Sequence, residues 1–248
     1  YLLIVKEPLH EWALAGDRVR FVGEAVAVVI ARDRYQAEDA LEHVKIEYEI
    51  LAPALDPEEA SAKGSSCVHP DAGTNLISDR EFIYGNPDQA FVEADRVVDL
   101  KIHYPRNSLT PIEGFVALVE YLPDEDSYDV FSNFQGPYTG HPIIARALRV
   151  PEPNIRLRTP SNSGGSFGVK QAVLPYIVLM GLCSKITGRP VKWVEDRLEH
   201  LTAASSAPNR IVNISAAVKS DGEITGLRME QLDDYGAYLR SPMPGPLY

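Results

Sequence analysis

The stretch best suited to chemistry is Asn162-Ser163-Gly164-Gly165-Ser166-Phe167-Gly168-Val169-Lys170. Adjacent glycines let a backbone turn sharply and come close to a ligand. A helix N-terminus behind such a loop favours an anion, so the pattern suits a phosphate, a pyrophosphate or an oxyanion. A P-loop requires G-x-x-x-x-G-K-S/T; here Val169 splits Gly168 from Lys170, and Gln171 replaces the magnesium-binding hydroxyl. That reading is set aside, and a dinucleotide G-x-G-x-x-G is not matched either. Gly164 to Gly168 does satisfy G-x-S-x-G, the nucleophile elbow, which would make Ser166 the nucleophile of a serine hydrolase. Its partners are poor: His200 is the one histidine downstream, and Glu195 and Asp196 share its local segment. A triad draws its base and its acid from separate parts of the fold. A plain Gly/Ser turn with no ligand, in a scaffold or interaction module, is the third reading.

Other reactive side chains offer less. Glu113 and Glu120 flank an expected strand, and Asp233 and Asp234 sit on an expected hairpin, which points to solvated or structural roles. His103 and His141 lack metal-ligand spacing. Cys67 and Cys183 are too few for a disulfide framework or a metal cage. They point to a reducing cytoplasm.

The elements around the loop follow from periodicity. Ile155–Arg158 reads as a strand leading into it, and an apolar helix over about 172–187 follows, stopped by Gly188-Arg189-Pro190. A helix apolar all round belongs in the interior of a layered body. Strands are expected at 96–104, 115–121 and 128–131, with helices at 89–94 and 137–150. Arg210–Val218 and Ile224–Tyr235, joined by Ser220-Asp221-Gly222, predict a β-hairpin. Nearer the start, Val19–Ala31 predicts two strands around a Gly23-Glu24 turn. Asp33 then caps a short amphipathic helix through Ala37, Ala40, Leu41 and Val44. Lys45–Ile50 alternates as a half-buried strand. Residues 56–79 carry no periodicity and mark a boundary.

The 248 residues can bury a substantial core. A net charge of −11 disfavours nucleic-acid binding, and 45% hydrophobic with 24% charged residues is an ordinary globular composition. The longest apolar run, Ala172–Cys183, falls short of the roughly 20 residues of a membrane span. A chain opening on Tyr1 and closing on Pro-Met-Pro-Gly-Pro-Leu-Tyr is expected to be a piece of something longer.

Four motifs in order carry a resemblance. Asp17-Arg18-Val19-Arg20-Phe21-Val22-Gly23-Glu24-Ala25-Val26-Ala27 resembles the opening of the a/b hammerhead domain of the xanthine dehydrogenase/aldehyde oxidase family. Lys45-Ile46-Glu47-Tyr48-Glu49 with Pro53 is similar to that domain's exit. Gly164-Gly165-Ser166-Phe167-Gly168-Val169-Lys170 resembles the family's Gly-Gly-Gly-Phe-Gly-x-Lys molybdenum-cofactor loop. Gly188-Arg189-Pro190-Val191-Lys192-Trp193-Val194-Glu195-Asp196-Arg197 resembles the segment after it in carbon monoxide dehydrogenase-type large subunits.

The resemblance implies an α+β chain: a hammerhead domain over 1–65, a linker over 66–80, and the first part of a mixed α/β molybdopterin-binding domain over 81–248. It implies a molybdenum-dependent oxidoreductase that hydroxylates aldehydes, N-heterocycles or similar small substrates, or oxidises carbon monoxide. Its cofactor is molybdenum-molybdopterin, expected as a dinucleotide form, with 2Fe-2S and FAD on partner subunits or domains. The expected partners are these, the remainder of the large subunit and a small-molecule substrate. No nucleic acid and no membrane span are expected.

By the same resemblance, Gly164, Gly165, Ser166, Phe167 and Gly168 line the cofactor, and Gln135 in Phe131-Ser132-Asn133-Phe134-Gln135 hydrogen-bonds the apical oxygen or pterin. No protein side chain is expected on the metal. The family's catalytic glutamate would lie beyond Tyr248, so no catalytic residue is expected here and the chain alone is expected to be inert. Two positions depart from the family. Ser166 replaces a third glycine, and Gln171 stands where purine-oxidising members carry glutamate, which argues against a purine pocket.

Overall fold

The structure is a computed structural model, and it describes residues 9–239. Two compact units emerge. One comprises residues up to Ala52, Ser108–Ser206 and those from Ala237; the other comprises Pro53–Asn107 and Ala207–Gly236.

The first unit holds the loop. It opens with α1 (Arg34–Leu41), capped as expected by Asp33, whose carboxylate accepts from the Gln36 amide. Strands β1 (Val116–Leu122), β2 (Ser127–Ser132), β3 (Ile155–Arg158) and β4 (Val191–Val194) form one sheet in the order β3-β2-β1-β4. The β2/β3 pair is parallel and the other pairs are antiparallel. Helix α2 (Pro137–Leu148) supplies the crossover that the parallel pair requires.

Phe115, just before β1, and Ala117 and Val119 within it alternate inward, as Tyr128 and Val130 do along β2. They meet Ile177 and Met180 of α3 (Leu174–Thr187), entered through a 3-10 turn over Val169–Val173. Gly181 belongs to that contact: a Cβ there would sit 3.1 Å from Leu148 and 3.4 Å from Tyr128. By length and composition Val169–Thr187 could cross a membrane, but 67% of its apolar window is buried inside the protein. Burial against the sheet accounts for that apolarity. Helix α4 (Arg197–Ala203) closes the unit with a full capping box from Asp196 and Glu199.

The second unit contains α5 (Pro57–Ser61), α6 (Pro87–Val92) and an antiparallel sheet of β5 (Arg96–Tyr104), β6 (Asn209–Val218) and β7 (Ile224–Asp234), in the order β5-β6-β7. The expected hairpin is β6–β7, with Gly222 at φ 93° in its turn and a register shift at Ala217/Val218. Helix α6 lies on β7: Arg228 sits 4.4 Å from the Phe91 ring centroid and pairs with Asp88 at 2.6 Å.

Two expectations fail. Residues 19–31 and 45–50 form no strand. A strand exists through ladder bonds to a neighbour, and among the described residues the backbone-to-backbone bonds near Gly23 include Glu24 N to Phe21 O and Ala15 N to Ala25 O, which form no ladder. Ile46, Tyr48 and Ile50 share the apolar face of the second segment, yet they are 43%, 59% and 94% exposed, and no sheet among the described residues covers them. Helix α5, strand β4 and helix α4 were not expected. The first is five residues held by Asp56, which accepts from the Glu58 and Glu59 amides.

Candidate functional site: a glycine-rich loop braced by a buried lysine

The loop runs from the end of β3 to the 3-10 turn before α3, and its anchor is Lys170. That side chain is 1% exposed and its Nζ donates to Oε1 of Glu113. Buried ammonium groups are tolerated when paired, and the same carboxylate does two further jobs. Oε1 also accepts from Asn133 Nδ2 at 2.6 Å, and Oε2 accepts the Gly164 amide at 2.9 Å. Asn133 in turn donates to the Gly114 carbonyl at 2.8 Å and accepts the Val116 amide at 3.0 Å. One carboxylate therefore ties the start of β1, the end of β2 and the first loop glycine together. Lys170 beside it, helped by Asn133 and the Gly164 amide, holds the Glu113 carboxyl below the usual glutamate range against the opposing effect of burial.

The glycines divide by role. A Cβ on Gly164 would lie 2.6 Å from Glu113 Cβ, so that position must be glycine for the carboxylate to approach. Gly165 and Gly168 have φ of 90° and 101°, and a Cβ on either would meet nothing within 4 Å. Their requirement is conformational, and it leaves open space on that side. Phe167 is left-handed as well, at φ 53°, with its ring 72% exposed. Sustaining that conformation in a bulky residue requires support from its surroundings.

Among the described residues, no hydrogen bond within the protein uses the amides of Gly165, Ser166 or Phe167. Three successive unspent amide donors, with open space beside Gly165 and Gly168, suit an acceptor-rich group. The site's donors thus fit a pterin-type cofactor. Among the described residues no three His, Cys, Asp or Glu side chains gather as a metal site.

Gln135 is brought to this loop. Its amide donates to the Lys170 carbonyl at 3.3 Å, and its Oε1 accepts from Ser166 Oγ at 2.5 Å. Ser166 Oγ also accepts from the Gly168 amide at 3.2 Å and the Lys170 amide at 3.1 Å. All six residues expected to line a cofactor therefore sit on one surface.

The nucleophile-elbow reading is not favoured by the same bonds. Ser166 donates to a glutamine amide oxygen, not to a base. His200 is 2% exposed and spends Nδ1 on Glu195 Oε2 at 2.7 Å and Nε2 on the Leu109 carbonyl at 3.3 Å. Glu195 also accepts the Phe115 amide at 2.9 Å, so the pair is a buried bolt between β1 and the segment before α4.

Asp233 and Asp234 have structural partners, Arg210 and Arg106 respectively. What sequence reasoning missed is the brace. Glu113 reads as a strand-flanking carboxylate, and nothing local marks its tie to residues 51 and 57 positions away. The available signal was Lys170 itself: a lysine between Val169 and the run before α3 demands a buried counter-charge.

Residues 68–246 match the molybdopterin cofactor-binding domain family, and residues 2–52 match the aldehyde oxidase and xanthine dehydrogenase a/b hammerhead domain. The 6-hydroxypseudooxynicotine dehydrogenase complex subunit gamma of Paenarthrobacter nicotinovorans is 38% identical over 231 residues, covering 93% of this chain and 29% of that one. The carbon monoxide dehydrogenase large chain of Hydrogenophaga pseudoflava is 32% identical over 242 residues, covering 91% and 30%. The crystal structure of quinoline 2-oxidoreductase from Pseudomonas putida 86 superposes with a TM-score of 0.84 at 30% identity, covering 96% of this chain and 31% of that one. The chain thus spans about 30% of the length of the relatives it matches.

Proposed function

The chain belongs to the molybdopterin cofactor-binding domain family, preceded by an a/b hammerhead segment of the aldehyde oxidase and xanthine dehydrogenase type, and from that premise we propose that it forms one wall of the molybdenum site of an oxidoreductase. The observation that carries this reading is the cradle itself. Gly165 and Gly168 are open to close approach, three loop amides are unspent among the described residues, and Gln135 is tied to the same loop.

When bound, a molybdenum-pterin cofactor supplies oxygen transfer coupled to two-electron oxidation. This chain's residues then bind and orient. The amides of Gly165, Ser166 and Phe167 offer donors to the cofactor's acceptor atoms. Gln135 offers an uncharged amide donor to an oxygen acceptor, which stabilises it without adding a net charge. Glu113, the carboxylate nearest the loop, is spent on Lys170, Asn133 and Gly164. This chain accordingly supplies placement, not proton transfer.

Aldehydes, N-heterocycles and similar small electron-poor molecules, or carbon monoxide, are the substrate classes proposed. Relatives named for nicotine-type heterocycles, quinoline and carbon monoxide support that range. A dinucleotide form of the cofactor, with 2Fe-2S and FAD on partner subunits, completes the proposal. The single free cysteines Cys67 and Cys183 cannot build a cluster, and a relative named as the gamma subunit of a complex supports partner subunits. A reducing cytoplasm is proposed as the compartment. The test is molybdenum analysis of the full-length protein together with oxidation of an aldehyde and heterocycle panel. Stoichiometric molybdenum with turnover of one class is expected; a metal-free, redox-silent protein would refute the reading.

A further inference from the structure

We propose that Ser166 is a positioning residue that fixes the orientation of the Gln135 side-chain amide, so that its NH2 group is the end presented to the cofactor. The proposal rests on the reading given under Proposed function and deepens it.

The argument is one of hydrogen-bond valence. A serine hydroxyl carries one proton and two acceptor lone pairs. Both lone pairs of Ser166 Oγ are taken, by the amides of Gly168 at 3.2 Å and Lys170 at 3.1 Å. The remaining proton must therefore be donated, and its partner 2.5 Å away on Gln135 must be an acceptor. Of the two ends of a glutamine amide, the oxygen alone accepts. Amide oxygen and nitrogen are ordinarily assigned from the network around them, and here the network leaves one solution. Oε1 faces Ser166 and Nε2 faces away, with both its protons unspent among the described residues.

The Gln135 backbone is held independently by the bond from its amide to the Lys170 carbonyl. The residue is thus pinned at both ends to the loop it serves. A glycine at position 166 would keep the turn but lose the hydroxyl. The amide could then rotate and present an oxygen, which repels an oxygen ligand, in place of a donor.

The test uses the full-length protein with Ser166→Ala, Ser166→Gly, Ser166→Thr, Gln135→Leu and the Ser166→Ala/Gln135→Leu double variant. Four readouts are taken: molybdenum per polypeptide, the paramagnetic resonance spectrum of the reduced centre, kcat and KM, and crystallographic orientation of the Gln135 side chain. Ser166→Ala and Ser166→Gly are expected to keep molybdenum within about twofold of wild type, shift the spectrum, and lower kcat about tenfold with KM nearly unchanged, as for loss of one oriented donor. Ser166→Thr restores the hydroxyl and is expected to restore spectrum and kcat. The double variant is expected to be no worse than Gln135→Leu alone. An unchanged spectrum and kcat in Ser166→Ala overturns the proposal, as does an additive double variant. Molybdenum loss in Ser166→Ala that Ser166→Thr fails to rescue also overturns it. Wild-type protein without molybdenum would instead refute the functional reading, so the two failures are distinguishable.

Discussion

Lys170 is the residue on which the loop depends, because an ammonium that is 1% exposed has no tolerable unpaired state. Glu113→Ala should cost about 3 kcal/mol in urea unfolding, the low end of the usual range for breaking a buried pair, since the Glu113 side chain is itself 35% exposed. Replacing both, as Glu113→Leu with Lys170→Met, should recover much of that loss. A double variant as unstable as Glu113→Ala would contradict the pairing. The pH dependence has a definite sign. The Glu113 carboxyl is depressed below 4.5 when folded, first by Lys170, so its contribution is complete above that pH and is lost as pH falls through the folded value. The difference in melting temperature between wild type and Glu113→Gln should be constant near neutrality and close in acid below pH 4.5. A gap that persists undiminished at pH 2 would count against it. At this scale the sequence showed Ser166, Phe167 and Gln135 through their motifs, yet concealed Glu113. A carboxylate's partner across more than fifty residues is a product of the fold, and no local pattern encodes it.

Secondary elements place the loop, and the two kinds of glycine make that placement testable. Gly164→Ala drives a Cβ to within 2.6 Å of Glu113, so both the brace and the cradle should fail, with thermal stability falling by about 2 kcal/mol. Gly165→Ala meets open space and strains only φ, which should cost about 1 kcal/mol. Equal losses from the two would show that the Glu113 contact is unimportant. Behind the loop, Ile177→Ala on α3 removes a fully buried side chain facing β1 and should cost about 3 kcal/mol in denaturant unfolding. The elements read correctly in advance were those with local signals: the Asp33 cap, the Gly188 stop, the Ser220-Asp221-Gly222 turn. Residues 45–50 were misread for the opposite reason. Alternation in Ile46, Tyr48 and Ile50 records a preference for a sheet, but a strand also needs a neighbour's amides and carbonyls. Helix α4 was missed although its capping box, Asp196 with Glu199, was there to be read.

At the scale of the molecule, the chain returns to each unit after leaving it. Residues 108–206 complete the loop-bearing unit between two visits to the other. Such interleaving cannot be read from composition, which locates a boundary only where a stretch such as 56–79 lacks periodicity. The acidic balance of −11 and the buried apolar helix α3 were legible; which strands that helix packs against was not. The central claim is that this wall holds a molybdenum cofactor by close backbone approach at Gly165. The most direct measurement is the molybdenum and pterin content of the purified full-length protein, wild type beside Gly165→Val. A β-branched side chain would fill the open side of a backbone at φ 90°. About one molybdenum per polypeptide in the wild type and almost none in a folded Gly165→Val variant is the predicted result; equal loading of the two, or none in either, would contradict the account.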